Sequence, residues 1–155
     1  MTEERLHVPN LLRRYERYLQ ANRERLMKDA PRRADLRPYE AVYHFNLYMY
    51  LSKFLQHRDG QVLPEFPTGN GKIDLIIKYA GRVYGLELKS FVDAYEYRRA
   101  LCQAARYGQQ LGLDEITLGF FVEAVDEANR AMYEAVHTDA EMGVTVTPIF
   151  VATGT

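Results

Sequence analysis

The stretch KIDLIIKYAGRVYGLELK, residues 72–89, decides the fold because it predicts two strands joined by a tight turn. Aliphatic and β-branched residues dominate both halves, and Ala80-Gly81 between them is typical of a hairpin loop. With the loop centred on those two residues, Tyr79 faces Arg82. Counting outward along both strands then places Asp74 opposite Glu87. The stretch therefore predicts an antiparallel pair, residues 72–79 and 82–90, with two carboxylates side by side.

Two facing carboxylates are unfavourable in a sheet unless a positive charge lies between them. Opposed side chains have Cβ atoms about 4.5–5.5 Å apart, and like charges at that separation are destabilising. Glu87 and Lys89 share one face of the strand, whereas Leu86 and Leu88 point to the other face, which we expect to be the core. A divalent cation with oxygen ligands would neutralise the pair, as would Lys89. The alternative is a surface ion pair of Glu87 with Lys89, and Asp74 at a strand end.

The rest of the chain predicts helices and strands in alternation around this hairpin. Before it we expect a helix over residues 11–27 capped by Asn10, a largely buried helix over residues 39–56 and a strand over residues 61–66. After it we expect a helix over residues 93–111, an interior strand over 115–122, a helix over 124–137, and a strand over 143–151 in which Pro148 indicates an edge position. This order predicts an α/β fold with a mixed central sheet flanked by helices.

Length and composition limit the class of protein. The chain has 155 residues, of which 47% are hydrophobic and 26% charged, as expected for one globular domain. A single cysteine, Cys102, excludes an internal disulfide and a cysteine-based zinc site. Without an apolar run of about 18 residues or a signal peptide, we expect a soluble, cytoplasmic protein with no membrane partner. The net charge of −1 is unlike that of a strongly basic nucleic-acid-binding domain, so any contact with nucleic acid should be local.

Three pieces of sequence carry a resemblance to a known superfamily. They are Asp74, the triplet Glu87-Leu88-Lys89, and Gln103-Ala104-Ala105-Arg106-Tyr107 in the following helix. After a strand hairpin and in this order, they resemble the PD-(D/E)XK nuclease superfamily, and the Gln-x-x-x-Tyr piece is similar to its RecB-like branch. The match covers about residues 39–122, with Ile73 where the family's name has proline.

The resemblance implies a restriction-endonuclease-like αβββαβ core in a single domain over residues 1–155. Residues 1–37 would be an N-terminal helical extension, residues 39–122 the motif-bearing core, and residues 123–155 a C-terminal αβ extension.

The resemblance also implies a catalytic chemistry. Asp74 and Glu87 would hold Mg²⁺ or Mn²⁺, with the Leu88 carbonyl as a further ligand, and the ion would activate water and polarise a phosphodiester of DNA. Lys89 would orient the nucleophile or stabilise charge on the phosphate oxygens. Glu40 resembles the extra acidic residue that some members place near the metal, although a glutamate at a helix N-terminus is also a dipole partner.

Gln103 and Tyr107 lie one helical turn apart and would support substrate or metal placement, the alternative being an ordinary amphipathic helix. The tyrosines between residues 39 and 50 are suited either to stacking on bases or to core packing.

Residues 6–10 and 64–74 also look like the nuclease-like C-terminal part of bacterial and archaeal AAA-ATPase-like proteins. That resemblance implies a fragment or a stand-alone relative, with an AAA-type ATPase or a further copy of the chain as partner. The leading hypothesis is metal-dependent hydrolysis of DNA. Its rivals are a nuclease-fold assembly or regulatory module without turnover, and an α/β domain that binds a small ligand.

Overall fold

The computed structural model describes residues 5–22, 40–67, 72–91 and 93–154, except for the side chains of residues 40–42, 65–67 and 72–73. Four helices and six strands lie within these ranges. The helices are α1 (Val8–Ala21), α2 (Glu40–Leu55), α3 (Ala94–Gln110) and α4 (Glu127–Tyr133). The strands are β1 (Gln61–Pro67), β2 (Lys72–Tyr79), β3 (Arg82–Ser90), β4 (Glu115–Val122), β5 (His137–Asp139) and β6 (Val144–Ala152). None of the described helices is long and apolar enough to cross a membrane.

The β2–β3 hairpin has the predicted register. Its pairs run from Tyr79 opposite Arg82 to Leu75 opposite Leu86. Ala80 and Gly81 form the loop with φ angles of 50° and 77°. Positive φ at both central residues is the backbone that lets a two-residue loop follow the twist of its strands. The turn therefore fixes which residues of β2 and β3 meet.

The six strands form one mixed sheet in the order β1-β2-β3-β4-β6-β5. β3, β4 and β6 run parallel to one another, whereas β1 pairs antiparallel to β2 and β5 pairs antiparallel to β6. The largely apolar β4 lies between β3 and β6, which confirms its predicted interior position.

Helices cover both faces of the sheet. One core joins α1 and α2 to the first face, and its buried residues include Leu12, Leu47, Leu75 and Leu88. The other core joins α3 to the second face, and its buried residues include Leu101, Ala104, Leu118 and Phe150. At Gly119 a side chain would meet Leu88 at 3.0 Å and Leu12 at 3.3 Å, so glycine allows α1 to pack closely on β4. This α/β architecture is confirmed as predicted and is consistent with a restriction-endonuclease-like core.

Two features of the N-terminal helices differ from the prediction. α1 begins at Val8 because the His7 side chain, not Asn10, caps it by accepting a hydrogen bond from the Asn10 N–H at 3.2 Å. In addition, α2 is not buried along Phe45 and Met49, which are 65% and 50% exposed. Its buried stripe consists of residues four apart: Tyr43, Leu47, Leu51 and Leu55.

The prediction of a helix over residues 124–137 is wrong at its C-terminal end. Asp126 caps α4, which ends at Tyr133, and residues 137–139 instead form β5. The β5–β6 turn is closed by the Asp139 side chain, which accepts a hydrogen bond from the Met142 N–H at 3.0 Å. A three-residue strand is too short to show alternation in the sequence.

The edge position predicted from Pro148 holds for only part of β6. β5 pairs with residues 144–146, so β6 is interior there. Further along, the N–H groups of Phe150 and Ala152 point away from β4 and donate to the carboxylates of Glu134 and Glu16, at 2.7 and 2.6 Å. Pro148 lies two residues before Phe150 and therefore faces the same open side. Because proline has no backbone N–H, it needs no acceptor there.

Arg130 connects the two carboxylates that cover this open edge. Its guanidinium lies 3.1 Å from Glu16 and 3.3 Å from Glu134, and it also donates to the Phe150 carbonyl at 3.1 Å. Because these three side chains are only 10–18% exposed, their ion pairs are screened less than pairs on the surface.

We expect Arg130→Met to lower the free energy of unfolding by about 2 kcal/mol, because it leaves the partly buried Glu16 carboxylate without its cation and leaves Glu134 paired with Arg13 alone. Arg99→Met removes an exposed ion pair with Glu96 and should cost less than about 0.5 kcal/mol. Urea denaturation of both variants measures the difference, and equal losses would contradict the role of Arg130.

Candidate active site

β2 and β3 separate at one end of their hairpin. Their pairing ends at Leu75 opposite Leu86, while β3 continues along β4 from Leu86 to Ser90. Asp74 and Glu87 are the first residues beyond the last pair. They therefore stand where the two strands fork, one on each strand.

The Asp74 side chain replaces the backbone ladder at the fork. Its Oδ2 accepts a hydrogen bond from the Leu88 N–H at 2.7 Å. The N–H and C=O groups of one residue in an extended strand point to the same side. The Leu88 carbonyl therefore faces the same gap as Asp74, as a third oxygen beside the two carboxylates.

Glu87 is buried at the fork. Its residue surface is 2% exposed, and its Oε2 has no hydrogen-bond partner among the residues that the structure describes. Its Oε1 lies 3.6 Å from the Lys89 Nζ. Because an unsatisfied buried carboxylate oxygen is costly, this atom needs a proton or a cation.

The surroundings of Glu87 raise the pKa of its carboxyl to about 8. Burial is the largest cause, and the neighbouring Asp74 carboxylate raises it further. Lys89 and a backbone hydrogen bond with Asp74 lower the pKa but do not cancel these two effects. In the absence of a further cation, the folded protein favours a protonated Glu87 around neutral pH.

The alternative of a surface ion pair does not describe this geometry. Glu87 and Lys89 do face each other, but Glu87 is buried and only Lys89, with 38% of its side chain exposed, reaches solvent. Asp74 does cap a strand end, as the alternative expects, but its carboxylate is close enough to Glu87 to raise the pKa of that residue.

The fork fits a divalent cation with oxygen ligands. Two carboxylates and a carbonyl are the ligand types that Mg²⁺ and Mn²⁺ prefer, and Mg²⁺ commonly takes only one or two carboxylates and keeps several waters. Among the described side chains, no group of three His, Cys, Asp or Glu residues could hold a metal ion. Within the described residues, a metal held between Asp74 and Glu87 would have these two carboxylates and the Leu88 carbonyl as protein ligands.

The remaining predicted site residues lie on α2 and α3. Glu40 is the first residue of α2, but its side chain is outside the described part of the chain. Gln103 and Tyr107 are partly exposed on α3, and Tyr107 packs against the core on that side of the sheet. The functional roles of all three stay predictions.

A cavity of about 430 Å³ adjoins Asp74 on the α2 side. Its walls are formed by Asp74 and Leu88 at the fork and by residues from α2, β1 and β2: His44, Phe45, Tyr48, Pro64 and Leu75. The contribution of Phe45 was missed in the sequence. A signal was available, since the four-residue spacing of Tyr43, Leu47, Leu51 and Leu55 leaves Phe45 off the buried stripe.

Comparisons with known proteins assign the chain to no family. No protein-family model and no curated protein matches the chain. Among solved structures, it is similar to a Type III CRISPR defence DNA nuclease activated by cyclic oligoadenylate, with 20% sequence identity and a TM-score of 0.40 over 78% of this chain. The match spans 21% of that nuclease. The fold class rests on the sheet topology, and the candidate site on the geometry of β2 and β3.

We expect Glu87 to make stability depend on pH. In the unfolded state the pKa of Glu87 has its ordinary value of 4.5, whereas in the folded state it is about 8. Between these values the folded state holds a proton that the unfolded state lacks, so this group's contribution to the free energy of unfolding falls as pH rises. Glu87→Gln should therefore become more stable relative to wild type between about pH 5 and about pH 8.

Urea denaturation in EDTA at both pH values measures this change. The control is Glu115→Gln, which alters a carboxylate that is 61% exposed and should track the wild type. A difference between Glu87→Gln and wild type that stays constant with pH would argue against the raised pKa.

Proposed function

We propose that this chain is a nuclease domain that hydrolyses phosphodiester bonds of DNA with the help of a divalent metal ion. The observation that carries the proposal is the buried Oε2 of Glu87, which lies beside the Asp74 carboxylate and has no hydrogen-bond partner in the described part of the chain. A fold alone requires no such pair, because like charges destabilise neighbouring strands. Strained or unsatisfied groups of this kind concentrate at functional sites.

Asp74 and Glu87 would hold Mg²⁺ or Mn²⁺, with the Leu88 carbonyl as a further ligand. When bound, such an ion supplies an activated water and polarises the phosphodiester. The two carboxylates bring the negative charge that the ion needs. The hydrogen bond from the Leu88 N–H fixes the position of the Asp74 carboxylate.

Lys89 supplies the second positive charge of the proposed site. Its Nζ is 3.6 Å from the Glu87 Oε1, and the side chain is 38% exposed, so it lies between the buried carboxylate and solvent. A cation held there can stabilise the negative charge that develops on the phosphate oxygens.

Three further residues complete the proposal. Glu40 would add a carboxylate near the metal, and Gln103 and Tyr107 would place the substrate from α3. The order of Asp74, Glu87-Leu88-Lys89 and Gln103-x-x-x-Tyr107 supports a RecB-like PD-(D/E)XK assignment. The resemblance of residues 6–10 and 64–74 to AAA-ATPase-like proteins supports an AAA-type ATPase or a further copy of the chain as partner.

Mn²⁺ should raise the melting temperature of the wild type, because a ligand that binds only the folded state stabilises it, by about 2.7 kcal/mol at a hundredfold excess over Kd. Asp74→Asn should abolish most of this gain. The asparagine oxygen can still accept from the Leu88 N–H, so stability in EDTA should be unchanged or slightly higher. Melting curves of both proteins and of Glu115→Gln, with Mn²⁺ and with EDTA, provide the measurement. Equal metal shifts in all three would remove Asp74 from the site.

We expect DNA cleavage in Mg²⁺ or Mn²⁺ to fall by at least about 100-fold in Asp74→Asn, Glu87→Gln and Lys89→Ala, because each change removes a charge that the reaction needs. Glu115→Gln should retain activity, and EDTA should stop the reaction. Cleavage that persists in EDTA or in these variants would place the activity elsewhere. A metal-dependent melting shift without cleavage would instead indicate a module without turnover.

A further inference from the structure

The outward face of α2 carries apolar side chains that the core does not use. Phe45 is 65% exposed and Met49, one turn later, is 50% exposed. The inward face of the helix already fills the core with its four-residue stripe from Tyr43 to Leu55. The outward pair therefore contributes little to packing.

These side chains adjoin the proposed active site. Phe45, His44 and Tyr48 form one wall of the cavity of about 430 Å³, and Asp74 and Leu88 form another. This volume lies within the range of small-molecule sites, about 300–1,000 Å³. A group seated against Phe45 would therefore adjoin a carboxylate proposed to bind the metal.

We propose that this cavity binds a nucleobase next to the phosphodiester that is cleaved, and that the DNA substrate is consequently single-stranded. The proposal rests on the proposed nuclease function and deepens it by naming the substrate class. An exposed aromatic ring offers a surface on which any base can stack, without a requirement for a particular sequence.

The same geometry disfavours intact duplex DNA. In a duplex, neighbouring base pairs cover both faces of each base, so stacking on Phe45 requires a base that is already unstacked or has been flipped out. A single strand meets that requirement without the loss of base pairing. The base would enter the cavity while its phosphate lies toward Asp74.

The charge beside the apolar surface also suits a nucleic-acid strand. Lys53 is exposed one turn beyond Met49, about 12 Å along α2 from Phe45. Proteins that bind single strands combine aromatic rings with positively charged grooves that follow the phosphate backbone. Lys53 can therefore contact the backbone of a strand whose base is seated against Phe45.

Fluorescence anisotropy tests the proposal with the full chain, in Ca²⁺ and at one salt concentration. The probes are a labelled oligothymidine of about 15 nucleotides, near the upper site size of about 16 for one single-strand-binding domain, and a duplex of the same length. A gel confirms that both probes stay intact. The variants are Phe45→Ala and Met49→Ala. Matched controls are Tyr95→Ala and Met132→Ala, whose side chains are 70% and 59% exposed elsewhere.

We expect wild type to bind the single strand more tightly than the duplex. Phe45→Ala should weaken binding of the single strand about 5-fold or more, whereas both controls stay within about 2-fold. The affinity for the duplex, which is lower in the wild type, should not change in Phe45→Ala. Because the altered side chains are exposed, the melting temperatures of all variants should equal that of the wild type. This measurement checks that each variant is folded.

Three results of the binding experiment would overturn the proposal: no binding of the single strand, no effect of Phe45→Ala, or equal effects on single strand and duplex. If light scattering instead finds a dimer that Phe45→Ala dissociates without a change in DNA binding, the surface joins two copies of the chain and the proposal is wrong. Single-strand binding that depends on Phe45 but is followed by no cleavage in Mn²⁺ supports the base site and contradicts the hydrolytic function. Cleavage that is unchanged in Phe45→Ala supports the hydrolytic function and contradicts the base site.

Discussion

The hydrogen bond from the Leu88 N–H to the Asp74 carboxylate is the interaction on which the candidate site depends. It takes the place of a backbone ladder bond just where β2 leaves β3, so the fork is closed by a side chain instead of a strand. The consequence is geometric. Asp74 is held against β3, the Leu88 carbonyl faces the gap, and Glu87 lies beside a second carboxylate. A regular ladder would have given the backbone its usual partners and left no such gap.

The site is held by the packing of the rest of the domain. Leu86 and Leu88, on either side of Glu87, are buried in the core beneath α1 and α2 and thereby keep Glu87 directed to the opposite face. Rotating β3 to bring Glu87 into solvent would expose both leucines, at about 1.5–3 kcal/mol each. The core therefore stabilises a position that is unfavourable for an unpaired carboxylate. Such conflict between local preference and global packing is expected where a residue serves a function.

The sequence predicted most reliably those features that depend on neighbouring residues. The hairpin register followed from Ala80-Gly81, and the interior position of β4 followed from its apolar run. Features that depend on distant parts of the chain were missed. β5 exists because β6 offers it an edge, and the burial of Glu87 depends on the layers around β3. The outward position of Phe45 was also missed, although the four-residue spacing of the apolar stripe from Tyr43 to Leu55 indicated it.

The two faces of the sheet approach the fork in different ways. Glu87 and Lys89 alternate with the leucines of the first core and so lie on the face covered by α3, whereas Asp74 also borders the cavity that Phe45 of α2 lines. The gap between β2 and β3 therefore connects the carboxylates to a surface that the core leaves free. The position of the carboxylates is fixed by strand pairing and core packing, which tolerate little change. The outward face of α2 has no such constraint, because Phe45 and Met49 are mostly exposed, so substitutions at these two positions leave intact the packing that positions Asp74 and Glu87.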